Sequence, residues 1–379
     1  MSDKKKVVDV PQGDIHVYDD IMPYFNSDPV IQNTKKQYQS VTFVTTGIIA
    51  FDGGQTTMLH LGTALSKQGY QVYYLSYVEQ PVEEMEENAA FNCPGYQGTC
   101  LGINDLERHQ SDIWIATLWE SAYVIKNFKG YKMYFVQDYE PYFYAYGDRY
   151  QLAKKTYELG LHMVSLGPWC ADLIEKNCVV NSPLESINFP VDSSTYPFQE
   201  RDFSQYLDKK KIKLAVYTKW VSPRRAPIYI QMVLNNSQRL LKKKGIELEI
   251  SYFGSDSQYQ FINGRNLGKL NHSQLLQLYR DNDFGIAPSM TNFSLVTFEM
   301  MSAGLPVIDF AEGSGPWFMS KDTYISTHLD EYQLSVAIEK AIASPSRRLQ
   351  KMTQDARNYL QRITWQKTID DFIAVLANL

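Results

Sequence analysis

Apolar and polar positions alternate between two periods along this chain. The β-branched run Val41-Thr42-Phe43-Val44-Thr45-Thr46 reads as a strand, leads into Gly47 and Gly53-Gly54, and gives way to helical spacing from Thr56 to Lys67 that stops near Gly69. Gln71 to Leu75 restarts a strand. The opening is therefore strand, glycine loop, helix, strand, a unit whose right-handed crossover makes its strands parallel. Further strand signals fall at Asp112 to Ala116, Lys132 to Val136 and His162 to Leu166, with helical segments between them, notably Gln151 to Leu159.

A polar, proline-containing stretch from Asn188 to about Lys210 breaks the pattern and predicts a domain boundary. The alternation then begins again. Lys213 to Tyr217 reads as strand, Pro227 to Lys243 as helix, Glu247 to Tyr252 as strand and Ser273 to Asp281 as helix; Phe284 to Ala287 is strand, Ser294 to Ala303 helix and Pro306 to Phe310 strand. Two tail helices follow, Ser346 to Gln361 and Thr364 to Leu379, the second with Thr364 as its N-cap. The predicted class is α/β, with two doubly wound halves. The expected division is an extension over 1–40, a first domain over 41–200, a second over 211–355 and a terminal helix over 356–379.

A length of 379 residues fits two cores, and 44% apolar with 21% charged residues is ordinary for a globular protein. The 27 tyrosines suit sugar or partner surfaces as well as packed element ends. A formal net charge of −5 argues against a nucleic-acid partner. The basic runs Lys4-Lys5-Lys6 and Lys242-Lys243-Lys244 leave room for attraction to an anionic membrane surface, although most such runs are only solvated. The N-terminus lacks the apolar core of a signal peptide and no run has the length of a spanning helix, so a cytoplasmic location is expected. Cys93, Cys100, Cys170 and Cys178 lack metal-knuckle spacing and read as reduced structural thiols, with a Cys93–Cys100 bridge as the alternative.

Ligands of open parallel sheets collect at the carboxyl ends of strands. Pro288 to Ser294 follows such a strand and precedes a helix whose free N–H groups can receive a diphosphate, with Asn292 or Ser294 as cap. Glu299, inside that helix, can accept from a ribose diol, or is simply a solvent-facing glutamate. Lys219, Arg224 and Arg225 follow another strand, where cations can hold phosphates whose charge grows as a nucleotide leaves; Pro223 and Pro227 bracket the arginines. Gly53 and Gly54 allow close backbone approach to a ligand. Without G-x-G-x-x-G, a dinucleotide oxidoreductase is poorly supported. Gln137-Asp138-Tyr139-Glu140-Pro141-Tyr142 combines carboxylates and rings, and can orient an acceptor hydroxyl or belong to the core. Asp281-Asn282-Asp283 has the D-x-D form of a metal site but precedes its strand, at the wrong end of the sheet.

The run Pro288-Ser289, then Ser294-Leu295-Val296-Thr297-Phe298-Glu299-Met300-Met301-Ser302-Ala303-Gly304-Leu305-Pro306-Val307, resembles the donor-site signature of retaining family-4 glycosyltransferases of the GT-B fold. Tyr134 to Pro141, Tyr157 to His162 and Arg224-Arg225 resemble a subgroup that includes rhamnosyltransferases of bacterial surface polysaccharides. The resemblance covers roughly residues 40 to 375. It implies two Rossmann-like domains about a cleft, a donor held mainly by the second, an acceptor held mainly by the first, a terminal helix from Trp365 that returns to the first domain, and no required metal or cofactor.

The residues expected at the donor are Gly53, Gly54, Lys219, Arg224, Arg225, Thr291, Asn292, Phe293, Ser294, Leu295 and Glu299; of these the resemblance matches Glu299 to the family's ribose-binding glutamate, sets Lys219 where the family usually has a phosphate-binding arginine, and sets Arg224 or Arg225 near its phosphate-binding lysine. The carboxylates and rings after the strand-like Lys132 to Val136 set the expected acceptor site at Gln137, Asp138, Tyr139, Glu140 and Tyr142, with Asp138, Lys219 and Arg225 nearest the chemistry. Two departures stand out: Thr291 occupies a position where relatives commonly carry a sugar-contacting glutamate, and Gln137 one where many carry histidine. The expected partners are a dTDP- or UDP-sugar and a glycan or lipid-linked glycan, with peripheral membrane association as a further expectation. A non-catalytic nucleotide-sugar or glycan-binding subunit and another GT-B enzyme, such as an epimerase, are the alternatives.

Overall fold

A computed structural model describes residues 21–344 and 346–379. The Lys4-Lys5-Lys6 run and the first half of the predicted extension lie outside the described residues. The described residues divide into two compact units, one lying within 1–135, 151–163 and 178–183, the other within 136–150, 164–177 and 184–379.

In the first unit, β1 (Ser40–Thr45), α1 (Gly53–Lys67), β2 (Gln71–Ser76), α2 (Val82–Asn92), β3 (Thr99–Leu101), β4 (Ile113–Ala116), α3 (Trp119–Ile125) and β5 (Tyr131–Val136) follow in order. This unit carries the run β3-β2-β1-β4-β5 of a seven-stranded sheet, every pair parallel. The central strands are near-continuous buried runs, as expected of parallel strands covered on both faces. The polar segment before β1 lies over this unit: Gln32 exchanges hydrogen bonds with both backbone groups of Lys132, at 2.9 and 2.8 Å. Helix α1 begins three residues earlier than the spacing predicts, because Asp52 caps it by accepting from Gln55 N at 2.8 Å. Gly53 and Gly54 are thus in its first turn rather than in the preceding loop.

The chain continues through α4 (Asp148–Thr156), β6 (His162–Leu166), α5 (Pro168–Asn177) and β7 (Leu184–Ile187). The rest of the second unit contains β8 (Lys211–Tyr217), α6 (Pro227–Lys243), β9 (Glu247–Phe253), β10 (Arg265–Asn266), α7 (His272–Asp281), β11 (Phe284–Ile286), α8 (Leu295–Ser302), β12 (Ile308–Phe310), α9 (Gly315–Phe318), β13 (Ile325–Thr327), α10 (Glu331–Ala343), α11 (Ser346–Leu360) and α12 (Trp365–Ala377). Its strands are parallel in the order β10-β9-β8-β11, a Gly285–Val307 bridge links β11 to the segment leading into β12, and β12 pairs with β13. Helices α6 and α10 cover one face over Val216, Leu234 and Ile338.

Helix α8 is apolar on nearly all sides and sits deep in this unit. Its close approach to β11 needs Gly285, where a Cβ would stand 2.4 Å from Met300 Sδ and 2.9 Å from Leu305 Cδ2. Thr364 caps α12 as predicted, accepting from Lys367 N at 3.2 Å, and Thr368 donates to the Asn188 carbonyl just after β7. Among the described residues no helix is long and apolar enough to cross a membrane. All four cysteines are free thiols.

Candidate functional site

The second unit brings together three loops that leave the carboxyl ends of β5, β8 and β11. Asp138, just past β5, is buried, and its carboxylate is the shared acceptor of the cluster. Oδ2 receives Arg224 Nη1 at 2.5 Å and the Thr291 hydroxyl at 2.7 Å; Oδ1 receives the backbone N–H of Asn292 at 2.9 Å and of Tyr139 at 2.8 Å. A buried carboxylate needs such compensation, and here one cation and three neutral donors supply it. The Arg224 guanidinium also lies over the Phe143 ring, 4.9 Å from its centroid.

Asn292 ties the cluster to the sheet. Its Nδ2 donates to the carbonyls of Gln137 at 2.7 Å and Leu166 at 2.8 Å, and its own carbonyl accepts from Ser289 Oγ at 2.6 Å. The side chain is therefore not the cap of α8. Ser294 occupies the cap position with no side-chain bond to the helix, and its backbone carbonyl accepts from Thr297 N at 3.0 Å. Phe293 packs against Phe298 and Phe318, and Leu295 is the first residue of α8.

Arg225 is buried behind Arg224, with its guanidinium 6.0 Å from the Tyr217 ring centroid. Its Nη1 has no hydrogen-bond partner in the protein. Burial and the adjacent Arg224 charge lower its pKa to about 10, leaving it cationic at neutral pH. Lys219 is half-buried in the same loop, where its carbonyl accepts from Ser222 N.

Glu299 does not simply face solvent. Its carboxylate accepts from the Tyr279 hydroxyl at 3.2 Å, and Tyr196, whose oxygen lies 2.9 Å from His272 Nδ1, is the other hydroxyl that favors its charged form. Burial pushes its pKa up to about 7 despite these bonds. Sequence spacing does not reveal this surround, because Tyr196 comes from the polar linker and Tyr279 from α7. Asp309, at the center of β12, is a second carboxyl not marked by any motif. Burial raises it to about 7, and its hydrogen-bond partner is the adjacent Phe310 N–H at 2.9 Å.

Tyr139 and Glu140 are buried, while Tyr142 is exposed and meets the Tyr139 ring edge-on at 4.8 Å. Gln137 is partly exposed and its carbonyl is taken by Asn292. Gly53 and Gly54 lie in the other unit; a Cβ at Gly53 would meet open space. Of the D-x-D pair, Asp283 pairs with Lys209 at 2.6 Å and accepts from Lys213 N at 2.9 Å, while the exposed Asp281 accepts from Gln277 at 2.8 Å.

No family model matches the chain. The O-antigen biosynthesis protein RfbC of Myxococcus xanthus is 24% identical over 311 residues, covering 78% of this chain and 23% of that protein. The chain thus spans about a quarter of the length of that relative. Among solved structures, sucrose-phosphate synthase from Thermosynechococcus elongatus superposes with a TM-score of 0.66 at 13% identity, covering 90% of this chain and 98% of that one. HepE of Anabaena in complex with UDP-glucose gives 0.68 at 11%, covering 90% and 100%. A TarM mutant of S. aureus with fondaparinux, α-GlcNAc-glycerol and UDP gives 0.64 at 8%, covering 89% and 99%. These likenesses define the fold as that of the GT-B glycosyltransferases.

Proposed function

We propose that the chain is a glycosyltransferase that moves a sugar from a dTDP or UDP donor onto a growing surface glycan with retention, L-rhamnose being the leading candidate. The observation that carries this is Arg225: a buried guanidinium with an unpartnered N–H, in a basic loop that Asp138 links to the loop entering α8. A buried cationic donor without a protein partner is a socket for an anion. With Lys219 and the α8 N-terminus it suits a diphosphate. Glu299 suits the ribose diol, and the relative named for O-antigen biosynthesis supports a glycan acceptor.

Residues 211–355 would hold the donor and 41–200 the acceptor. The acceptor oxygen bonds to the anomeric carbon on the face from which the phosphate departs, the carbon–phosphate-oxygen bond breaks, and a leaving phosphate oxygen takes the acceptor proton. Lys219 and Arg225 stabilise the charge that grows on the leaving group. Asp138, with both oxygens occupied, is a positioning residue for Arg224 and the 291–292 backbone.

The test is calorimetry with UDP, dTDP and GDP, followed by turnover with sugar forms of the tightest binder and NMR of the product anomer. One nucleotide should bind, with Glu299→Ala and Arg225→Met each weakening it about tenfold or more. Unchanged affinity in Glu299→Ala removes the site assignment, binding without turnover across donor and acceptor pairs favors a non-catalytic binding subunit, and an inverted product removes retention.

A further inference from the structure

The loop between β1 and α1 is held by side-chain amides. Gln80 exchanges two hydrogen bonds with the backbone of Ile48, at 2.8 and 2.9 Å, and Asn88 adds a third at 2.8 Å. Gln55 accepts from Ile49 N at 2.7 Å and donates to the Gly47 carbonyl at 3.0 Å. Asn92 closes the turn, accepting from Phe51 N at 3.0 Å and donating to the Ile49 carbonyl at 2.8 Å. Gly47, at φ +79°, is required here: a Cβ would stand 2.2 Å from Gln80 Oε1.

This clamp holds apolar side chains in solvent. Phe51 has φ +63°, a left-handed conformation uncommon for a bulky residue, and the residue is 64% exposed. Phe91 of α2 is 54% exposed and lies 4.6 Å away, ring centroid to ring centroid, tilted by 59°. Ile49 is also 54% exposed. Backbone strain held in place by surrounding bonds concentrates at functional positions. The loop leaves the carboxyl end of a central parallel strand, the edge where ligands of such sheets gather.

Charge narrows the occupant. Helix α2 presents Glu83, Glu84, Glu86 and Glu87 to solvent and carries no lysine or arginine. That face repels phosphates and anionic lipid surfaces. The apolar C–H face of an uncharged pyranose fits rigid exposed rings without a charge penalty. We propose that Phe51 and Phe91 form a stacking platform for an uncharged sugar of the acceptor glycan, placed by the amide clamp; this rests on the glycosyltransferase reading above.

The test uses the full chain and saturation-transfer NMR with methyl α-L-rhamnopyranoside, methyl α-D-glucopyranoside and maltotriose, alongside UDP and dTDP binding and sedimentation with phosphatidylcholine/phosphatidylglycerol vesicles. At least one glycoside should show transfer to its ring protons, with Phe51→Ala and Phe91→Ala each weakening binding about three- to tenfold and Phe51→Trp restoring it. Both rings are exposed, so unfolding midpoints should match wild type. Glycoside binding that is absent from wild type, or unchanged in both alanine variants, overturns the platform. Vesicle binding lost in those variants while glycoside binding persists overturns it in favor of a lipid surface. Failure of wild type to bind either nucleotide instead removes the parent reading, whatever the glycosides do.

Discussion

The Thr291 hydroxyl and the Arg224 guanidinium share one oxygen of Asp138, at 2.7 and 2.5 Å. The position where the resemblance leads one to expect glutamate thus supplies a donor to a buried carboxylate. Asp138→Asn removes the charge that pairs with Arg224 and should cost about 2–4 kcal/mol, whereas Thr291→Val removes one neutral bond and should cost about 1 kcal/mol. Urea unfolding of the two variants measures both. Thr291→Glu would set two carboxylates side by side and should destabilise more than Thr291→Val.

Asn292→Ala should cost about 2–4 kcal/mol, because it strips the donors from the carbonyls of Gln137 and Leu166 together. Asn292→Asp should cost at least as much, since it sets carboxylate oxygens against both carbonyls. Thermal unfolding midpoints rank the variants, and an alanine variant as stable as wild type contradicts the bridge.

Long periodic segments were legible in the sequence. Strands β1 and β5 are buried on both faces and so appear as β-branched or aromatic runs, β8 alternates lysines with apolar residues before its buried Leu214-Ala215-Val216, and α6 and α12 carry an apolar stripe with a proline or threonine at the start. Strands β3, β10 and β13, two or three residues each, carry too little pattern to be seen, and α2 is nearly featureless because glutamates fill it. The loops bearing Asp138 and Arg225, and the helix bearing Glu299, stand out in the sequence because they follow strands. Their partners do not. Which carboxylate takes Arg224, and which tyrosines surround Glu299, depends on contacts 86 and 20 residues or more apart along the chain.

Asp309 makes stability depend on pH. Its carboxyl rises from 3.8 to about 7 on folding through burial, so the folded state holds a proton that the unfolded chain releases. This contribution is full below about pH 4 and is lost as pH rises through 7. Asp309→Asn keeps the shape without the ionisation, so its stability advantage over wild type should grow between pH 5.5 and pH 8, reaching about 1–4 kcal/mol. Chemical denaturation at the two pH values checks the slope; an advantage that does not grow with pH contradicts it.

Glu299 titrates near 7 for the same reason, and a ribose diol donates better to the carboxylate than to the acid. Nucleotide affinity of wild type, relative to Glu299→Gln in the same buffers, should therefore rise several-fold from pH 6 to pH 8. The ratio cancels ionisation of the nucleotide itself. A flat ratio contradicts contact between Glu299 and the nucleotide.

The four amides that hold the β1–α1 loop grip its backbone and none of its side chains. Loop shape is thus set by α1, α2 and Gln80, independently of what projects at positions 49 and 51. Side chains at those tips are parts on a fixed mount, and new surface chemistry that tolerates the left-handed backbone at position 51 can be fitted there without removing any of the bonds that give the loop its shape.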